Sequence, residues 1–83
     1  MTMLQQYSKL IRLNYVSKRS MAVILSRRST LYAVLGHFQE SLEDAEHSLK
    51  LETSFTTAHF RKGYALCALG MYPDACVAFR KVL

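Results

Sequence analysis

The sequence predicts an all-α fold, an α-solenoid of antiparallel helix pairs with about two and a half repeats and roughly five helices. Three observations carry this. The stretches LGHFQESLEDA (35–45) and LGMYPDACVAF (69–79) share one layout, and Leu35 and Leu69, Gly36 and Gly70, Phe38 and Tyr72, and Leu49 and Leu83 are each 34 residues apart. Apolar residues recur at the three-and-four spacing of an amphipathic helix on both sides of each Gly. With 51% hydrophobic residues, one Pro and three Gly in 83 residues, the composition is that of folded, helix-rich material rather than disorder.

The elements follow in chain order. YSKLIRLN (7–14) reads as the second helix of a partial leading unit, with Tyr7, Leu10, Ile11 and Leu13 on its buried face. Four extra residues, Lys18 to Met21, act as a linker, so 1–21 forms the partial unit plus its connection. The next unit is 22–55. Ile24, Leu25, Leu31, Tyr32 and Leu35 line its first helix and Gly36 ends it, because Gly takes the left-handed conformation without a Cβ clash. Phe38, Leu42, Ala45, Leu49 and Leu51 line its second helix. Thr53 and Ser54 break the chain, and a hydroxyl there is placed to cap a helix starting near Thr56. In 56–83, Ala58, Ala65, Leu66, Ala68 and Leu69 form the first stripe, Gly70 the turn, and Ala75, Ala78, Phe79 and Val82 the second stripe. Pro73 falls in that helix's first turn, where its missing N–H costs nothing. Small residues (Ser41, Ala45, Ala75, Ala78) stand where the paired helices must approach closely.

This pattern resembles the tetratricopeptide repeat, a 34-residue helix–turn–helix unit of α-solenoids. Gly63 matches the family's eighth-position Gly, Gly36 and Gly70 its turn Gly, and Phe38 and Tyr72 its aromatic after the turn. Tyr32 and Leu66 match its large apolar site, Ala75 its small site in the second helix, and Phe79 the aromatic four residues later. The departures are Ser29 at the eighth position, Ser41 at the small site, Ala45 at the aromatic site and Thr53 where Pro usually closes the unit. On this resemblance the chain begins halfway through a repeat and ends at Leu83 without a polar capping helix. The expectation is a fragment, a truncated isoform, or a subunit that borrows a neighbouring repeat or self-associates, since stacked repeats bury faces that one repeat cannot.

The resemblance implies a concave surface built from first helices. Its positions fall on Val23, Ser26, Arg27, Thr30, Ala33 and Val34, then on Thr57, Phe60, Arg61, Tyr64, Cys67 and Ala68. Ser26, Arg27, Thr30, Thr57, Phe60, Arg61 and Tyr64 are the candidate peptide-binding residues. Arg grips a carboxylate with two parallel N–H donors, and rings bury an apolar side chain, so the expected ligand is a protein or peptide partner, one with an acidic C-terminus among the options. LSRR (25–28) and AHFRKG (58–63) look like the second and third repeats of chaperone-binding members, which hold a C-terminal carboxylate with five polar residues. Two of the five lie on a helix this chain lacks. Arg27 replaces an Asn, Thr57 replaces a Lys, and Arg61 alone is retained. A complete carboxylate clamp is therefore not expected, while an altered one with its own acidic ligand stays open. The bland alternative is that Arg27, Arg28, Arg61 and Lys62 solubilise a helix face and that Phe60 and Tyr64 pack between repeats.

Charge narrows the functions further. Residues 1–39 carry Lys9, Arg12, Lys18, Arg19, Arg27 and Arg28 with no acid, whereas 40–52 hold five acids against Lys50. A basic flank attracts nucleic acid, acidic peptide or anionic lipid, or is a solvated face. Nucleic-acid binding is disfavoured, because these charges fall on at least two helices with few free aromatics for stacking. A remnant of a longer repeat protein without independent function is the other alternative. No Gly-rich phosphate loop or nucleophile motif is present, so the chain is expected not to be an enzyme and to need no cofactor. Cys67, Cys76 and three scattered histidines lack metal-ligand spacing. The cysteines are expected to behave as small apolar residues. The longest apolar run near the start, Met21 to Leu25, is too short for a signal core or a membrane span, so no membrane partner is expected. Two unpatterned cysteines without a signal fit a reducing compartment, and the expected location is the cytoplasm, with the nucleus as the alternative. An acid-free, Arg- and Ser-containing start also has the look of a mitochondrial transit peptide, but the repeat accounts for the same residues.

Overall fold

A computed structural model describes residues 2–13 and 17–82. Five helices follow one another: α1 Met3–Leu13, α2 Lys18–Val34, α3 Phe38–Leu51, α4 Thr56–Ala68 and α5 Tyr72–Arg80. Each packs on the next, and α2 also touches α4. Among the described residues, the backbones of α1, α3 and α5 do not come close to one another. Helices that meet lie on the inside of a curve, and helices that splay lie on its outside. The α2–α4 side is thus the concave face of an all-α, solenoid-like stack.

The two turns are the same structure. Gly36 and Gly70 both sit at φ 81°, in the left-handed region. Around Gly36, His37 N–H donates to Tyr32 O at 2.8 Å and Gly36 N–H to Ala33 O at 3.1 Å. Around Gly70, Met71 N–H donates to Leu66 O at 2.8 Å and Gly70 N–H to Cys67 O at 3.0 Å. These paired bonds satisfy carbonyls that a helix end otherwise leaves open.

Three expectations are corrected. Lys18 to Met21 are not a linker: they are the first turn of α2, which starts where Ser17 caps it by accepting from Ser20 N–H at 3.2 Å. Met21 is buried there, so the added turn contributes to the core. No hydroxyl caps α4. Phe55 is its N-cap residue without a side-chain bond, and the break is held instead by His59 Nε2 donating to Thr53 O at 2.8 Å. Finally, Leu10 and Leu13 of the leading helix and Leu35, Ala68 and Leu69 near the ends of the two first helices, all assigned to apolar stripes, are exposed. The expected helix 7–14 is α1 over Met3–Leu13, while Asn14 and Leu83 lie outside the described residues.

The core is made largely of small side chains, Ala22, Ala45, Ala58, Ala65, Ala75 and Ala78, with Leu25, Leu42 and Leu66 between them. That composition lets the helices approach closely. In the second hairpin, Gly63 faces Phe79, and a Cβ at Gly63 would fall 2.5 Å from the ring. In the first hairpin the equivalent pair is Ser29 and Ala45, and the gap is closed by hydrogen bonds. Ser29 Oγ and Ser41 Oγ lie 2.9 Å apart, Ser29 Oγ donates to Ser41 O at 2.7 Å, and Ser41 Oγ has Ser29 O within 2.8 Å. Ser48 Oγ donates to Ala22 O at 2.7 Å. Arg28 completes the join, donating from Nε and Nη2 to the Asp44 carboxylate at 2.6 and 2.7 Å and from Nη1 to Ser8 Oγ at 3.2 Å. The hydrogen bond to Asp44 raises the Arg28 pKa above its ordinary value, against the opposing effect of burial. Arg28 is therefore a strut through α1, α2 and α3, not a solubilising surface charge.

Candidate functional site

The expected groove residues come from the two first helices, and the structure places α2 beside α4. On α4, Phe60 and Tyr64 lie one turn apart and are 43% and 49% exposed, far from the burial expected of core rings. Phe60 has a second role: its ring meets Phe79 at 5.9 Å between centroids, so its inner edge belongs to the hairpin while its outer face is open. Arg61 stands between the two rings in sequence, with its guanidinium carbon 5.4 Å from the Phe60 ring centroid. Its Nε is buried and has no hydrogen-bond partner. With Nε held against the protein, the terminal nitrogens of the guanidinium are the donors a ligand would meet.

On α2 the outcome is mixed. Arg27 is exposed and Val34 strongly so. Thr30 is half-buried and its hydroxyl donates to Ser26 O at 3.1 Å. Ser26 is a correction: only 3% exposed, it donates from Oγ to Val23 O at 2.9 Å. Buried to that degree and bonded back onto its own helix, the Ser26 hydroxyl is not open to a ligand. Ser29, in the basophilic-looking RRST stretch, is fully buried in the serine pair.

Thr57 is exposed and opens, with Val23, onto a cleft of about 430 Å³ at the start of α2 and α4. The cleft also takes in Arg19, Glu52, Phe55 and Thr56, none of which the repeat positions single out. The signal that could have found Arg19 was the Ser17-x-x-Ser20 start, which makes the residues before 22 helical. Cys67 and Cys76 are exposed free thiols, which corrects the expectation of apolar packing residues. Among the described residues no three His, Cys, Asp or Glu side chains converge as a metal site requires, and no helix is long and apolar enough to cross a membrane.

No protein-family model matches the chain. Curated proteins do. The chain is 38% identical over 56 residues to DnaJ homolog subfamily C member 7 of Homo sapiens, covering 68% of this chain and 11% of that protein. It is 31% identical over 78 residues to small glutamine-rich tetratricopeptide repeat-containing protein 2 of Mycosarcoma maydis, covering 94% of this chain and 21% of the relative. Tetratricopeptide repeat protein 12 of Mus musculus is 31% identical over 64 residues, 77% of this chain and 9% of the relative. The chain belongs to the tetratricopeptide-repeat family. Two relatives carry the repeat in their names, and the paired helices with their glycine turns supply its architecture. This tetratricopeptide-repeat chain spans between 9% and 21% of the lengths of these relatives. In general terms the kinship makes it a protein–protein interaction module.

Proposed function

We propose that the chain holds an extended, carboxylate-bearing peptide of a partner protein against its α2–α4 face. Arg61 would meet the carboxylate, the open faces of Phe60 and Tyr64 an apolar side chain, and Arg27, Thr30 and Thr57 the rest of the backbone and its polar groups. The observation that carries this reading is the Arg61 guanidinium, held 5.4 Å from the Phe60 ring centroid and flanked in sequence by two half-open rings. A carboxylate pairs with a guanidinium in charge-assisted bonds, and exposed rings one turn apart grip a side chain between them. Chaperone-binding members of the family, which these repeats resemble, hold a C-terminal carboxylate. Here Arg27 and Thr57 stand at two of their clamp positions, so the ligand is expected to differ from theirs.

The test is fluorescence anisotropy with labelled peptides ending in an apolar residue, each made with a free C-terminal carboxylate and as its amide. The carboxylate form should bind with salt-sensitive affinity. Arg61→Ala should weaken it about tenfold, the scale of one charge-assisted hydrogen bond. Tyr64→Ala should weaken both forms while leaving the carboxylate preference intact. Equal binding of acid and amide, or an Arg61→Ala variant that binds like wild type, would contradict the proposal.

A further inference from the structure

The opposite side of the molecule carries a different cleft. Both α1 and α3 pack on α2 but not on each other, which leaves a furrow bridged by Arg28. Beside this bridge a cleft of about 490 Å³ opens along α1, lined by Leu4, Gln5, Ser8, Lys9, Arg12 and Tyr32. Among the described residues no acidic side chain lines it. Among the described residues, neither Lys9 nor Arg12 takes part in an ion pair. The two cations are three residues apart on one helix and so present their charges about one turn, roughly 5 Å, from each other along the axis. They also sit within the 39-residue stretch that contains no Asp or Glu.

We infer that this α1 cleft is a second interaction site, distinct from the α2–α4 face, and that it takes an acidic segment of a partner protein with two side-chain carboxylates about one helical turn apart. Arg12 provides two parallel N–H donors for one carboxylate, and Lys9 a compact charge for the other. The Gln5 amide supplies both a donor and an acceptor for the segment's polar groups. Leu4 and the edge of Tyr32 form an apolar wall. Charge complementarity selects the partner: a cleft with two free cations and no acid attracts anionic segments and repels basic ones.

Nucleic acid fits less well. A phosphate backbone is tracked by a long row of cations and by rings free to stack on bases. Here there are two cations in one turn. Tyr32, the one ring among the described residues that line the cleft, is half-buried, with Arg28 5.5 Å from its centroid and His37 at 6.1 Å.

The experiment uses the 83-residue chain and a C-terminally amidated peptide, Glu-Glu-Leu-Glu-Glu-NH2, carrying fluorescein on its N-terminal amine. This probe has no terminal carboxylate, which separates it from the ligand proposed for the other face. Wild type should bind it with affinity that falls as salt rises. The Lys9→Ala/Arg12→Ala double variant, with both changes at exposed positions and its helicity checked by circular dichroism, should lose at least about tenfold. Arg61→Ala should bind the probe like wild type. The inference is overturned if wild type shows no binding at millimolar peptide, if the double variant binds unchanged, or if Arg61→Ala removes binding. It is likewise overturned, in favour of an unspecific polyanion surface, if a 12-nucleotide single strand binds as tightly and loses the same factor in the double variant.

Discussion

The α2–α3 and α4–α5 hairpins share a turn and differ in nearly everything that holds their helices together. The first joins by polar contacts: the Ser29–Ser41 exchange, Ser48 on the Ala22 carbonyl, and the two-pronged Arg28–Asp44 pair. The second joins by shape, with Phe79 lying over Gly63 and Ala75 and Ala78 against Leu66. At the equivalent pair 16 residues apart, one hairpin has Ser with Ala and the other has Gly with Phe. The bulk lies on the second helix in one hairpin and is absent from the other, where the Ser29–Ser41 hydrogen bonds join the helices. The two hairpins thus fill the space between their helices by different means. The difference also separates roles: the polar hairpin braces α1 through Arg28, and the apolar one shows the Phe60 and Tyr64 rings to solvent.

The largest expected effects break one hairpin at a time. Phe79→Ala removes the ring that covers Gly63 and should cost about 3 kcal/mol in urea unfolding. Asp44→Ala leaves the partly buried Arg28 guanidinium without its carboxylate and should cost about 3 kcal/mol as well. Hydrogen exchange should tell the two apart, since Asp44→Ala deprotects α1 together with the α2–α3 interface while Phe79→Ala deprotects α4–α5 first. A uniform loss of protection in both variants would mean the hairpins do not differ in the way described.

A middle tier probes the serine exchange. Ser29→Ala and Ser41→Ala should each cost about 1–2 kcal/mol, because each leaves a buried group short of a partner. The double variant should cost less than their sum, since removing both hydroxyls leaves less polar surface unsatisfied. Gly36→Ala and Gly70→Ala should be smaller and alike, about 1 kcal/mol each, because both turns hold φ at 81° with open space around the missing Cβ. A large gap between the two alanine variants would show that the turns are not equivalent.

The smallest effect concerns Glu40, whose carboxyl is held below the usual carboxylate range, chiefly by the His37 Nδ1 contact at 3.0 Å. A group with a lowered folded pKa stabilises above its unfolded value, and that contribution is lost as pH falls through the folded one. Glu40 is fully exposed, so the melting temperature of Glu40→Gln should be indistinguishable from wild type near neutral pH. An NMR titration should nonetheless find its carboxyl titrating below the ordinary range.

The periodic features were legible in the sequence. Gly36 and Gly70 at one 34-residue interval fixed both turns, and the three-and-four spacing fixed α2 to α5 to within a few residues. Ser29, Ser41 and Ala45 were visible as departures from the repeat. That two of them bond to each other, 12 residues apart across a hairpin, could not be read without the interface. Arg28 looked like one more surface charge because its partners, Ser8 and Asp44, lie 20 and 16 residues away. Ser26 was placed on the groove by position alone, and local back-bonding withdrew it. The added turn of α2 was hidden because a run of charged residues reads equally well as linker or as exposed helix, and only the Ser17 cap decides between them.

The most direct measurement is a double-mutant cycle on Gly63→Ser and Phe79→Ala, read by denaturant unfolding. If the close approach is filled by exchangeable volume, each single change destabilises, one by collision and the other by a cavity. Together they give the second hairpin the same pair of residues that the first uses, and the double variant should recover at least about 1 kcal/mol of the summed loss. Strict additivity, within about 0.5 kcal/mol, would contradict the account and mean that the two positions do not share one gap.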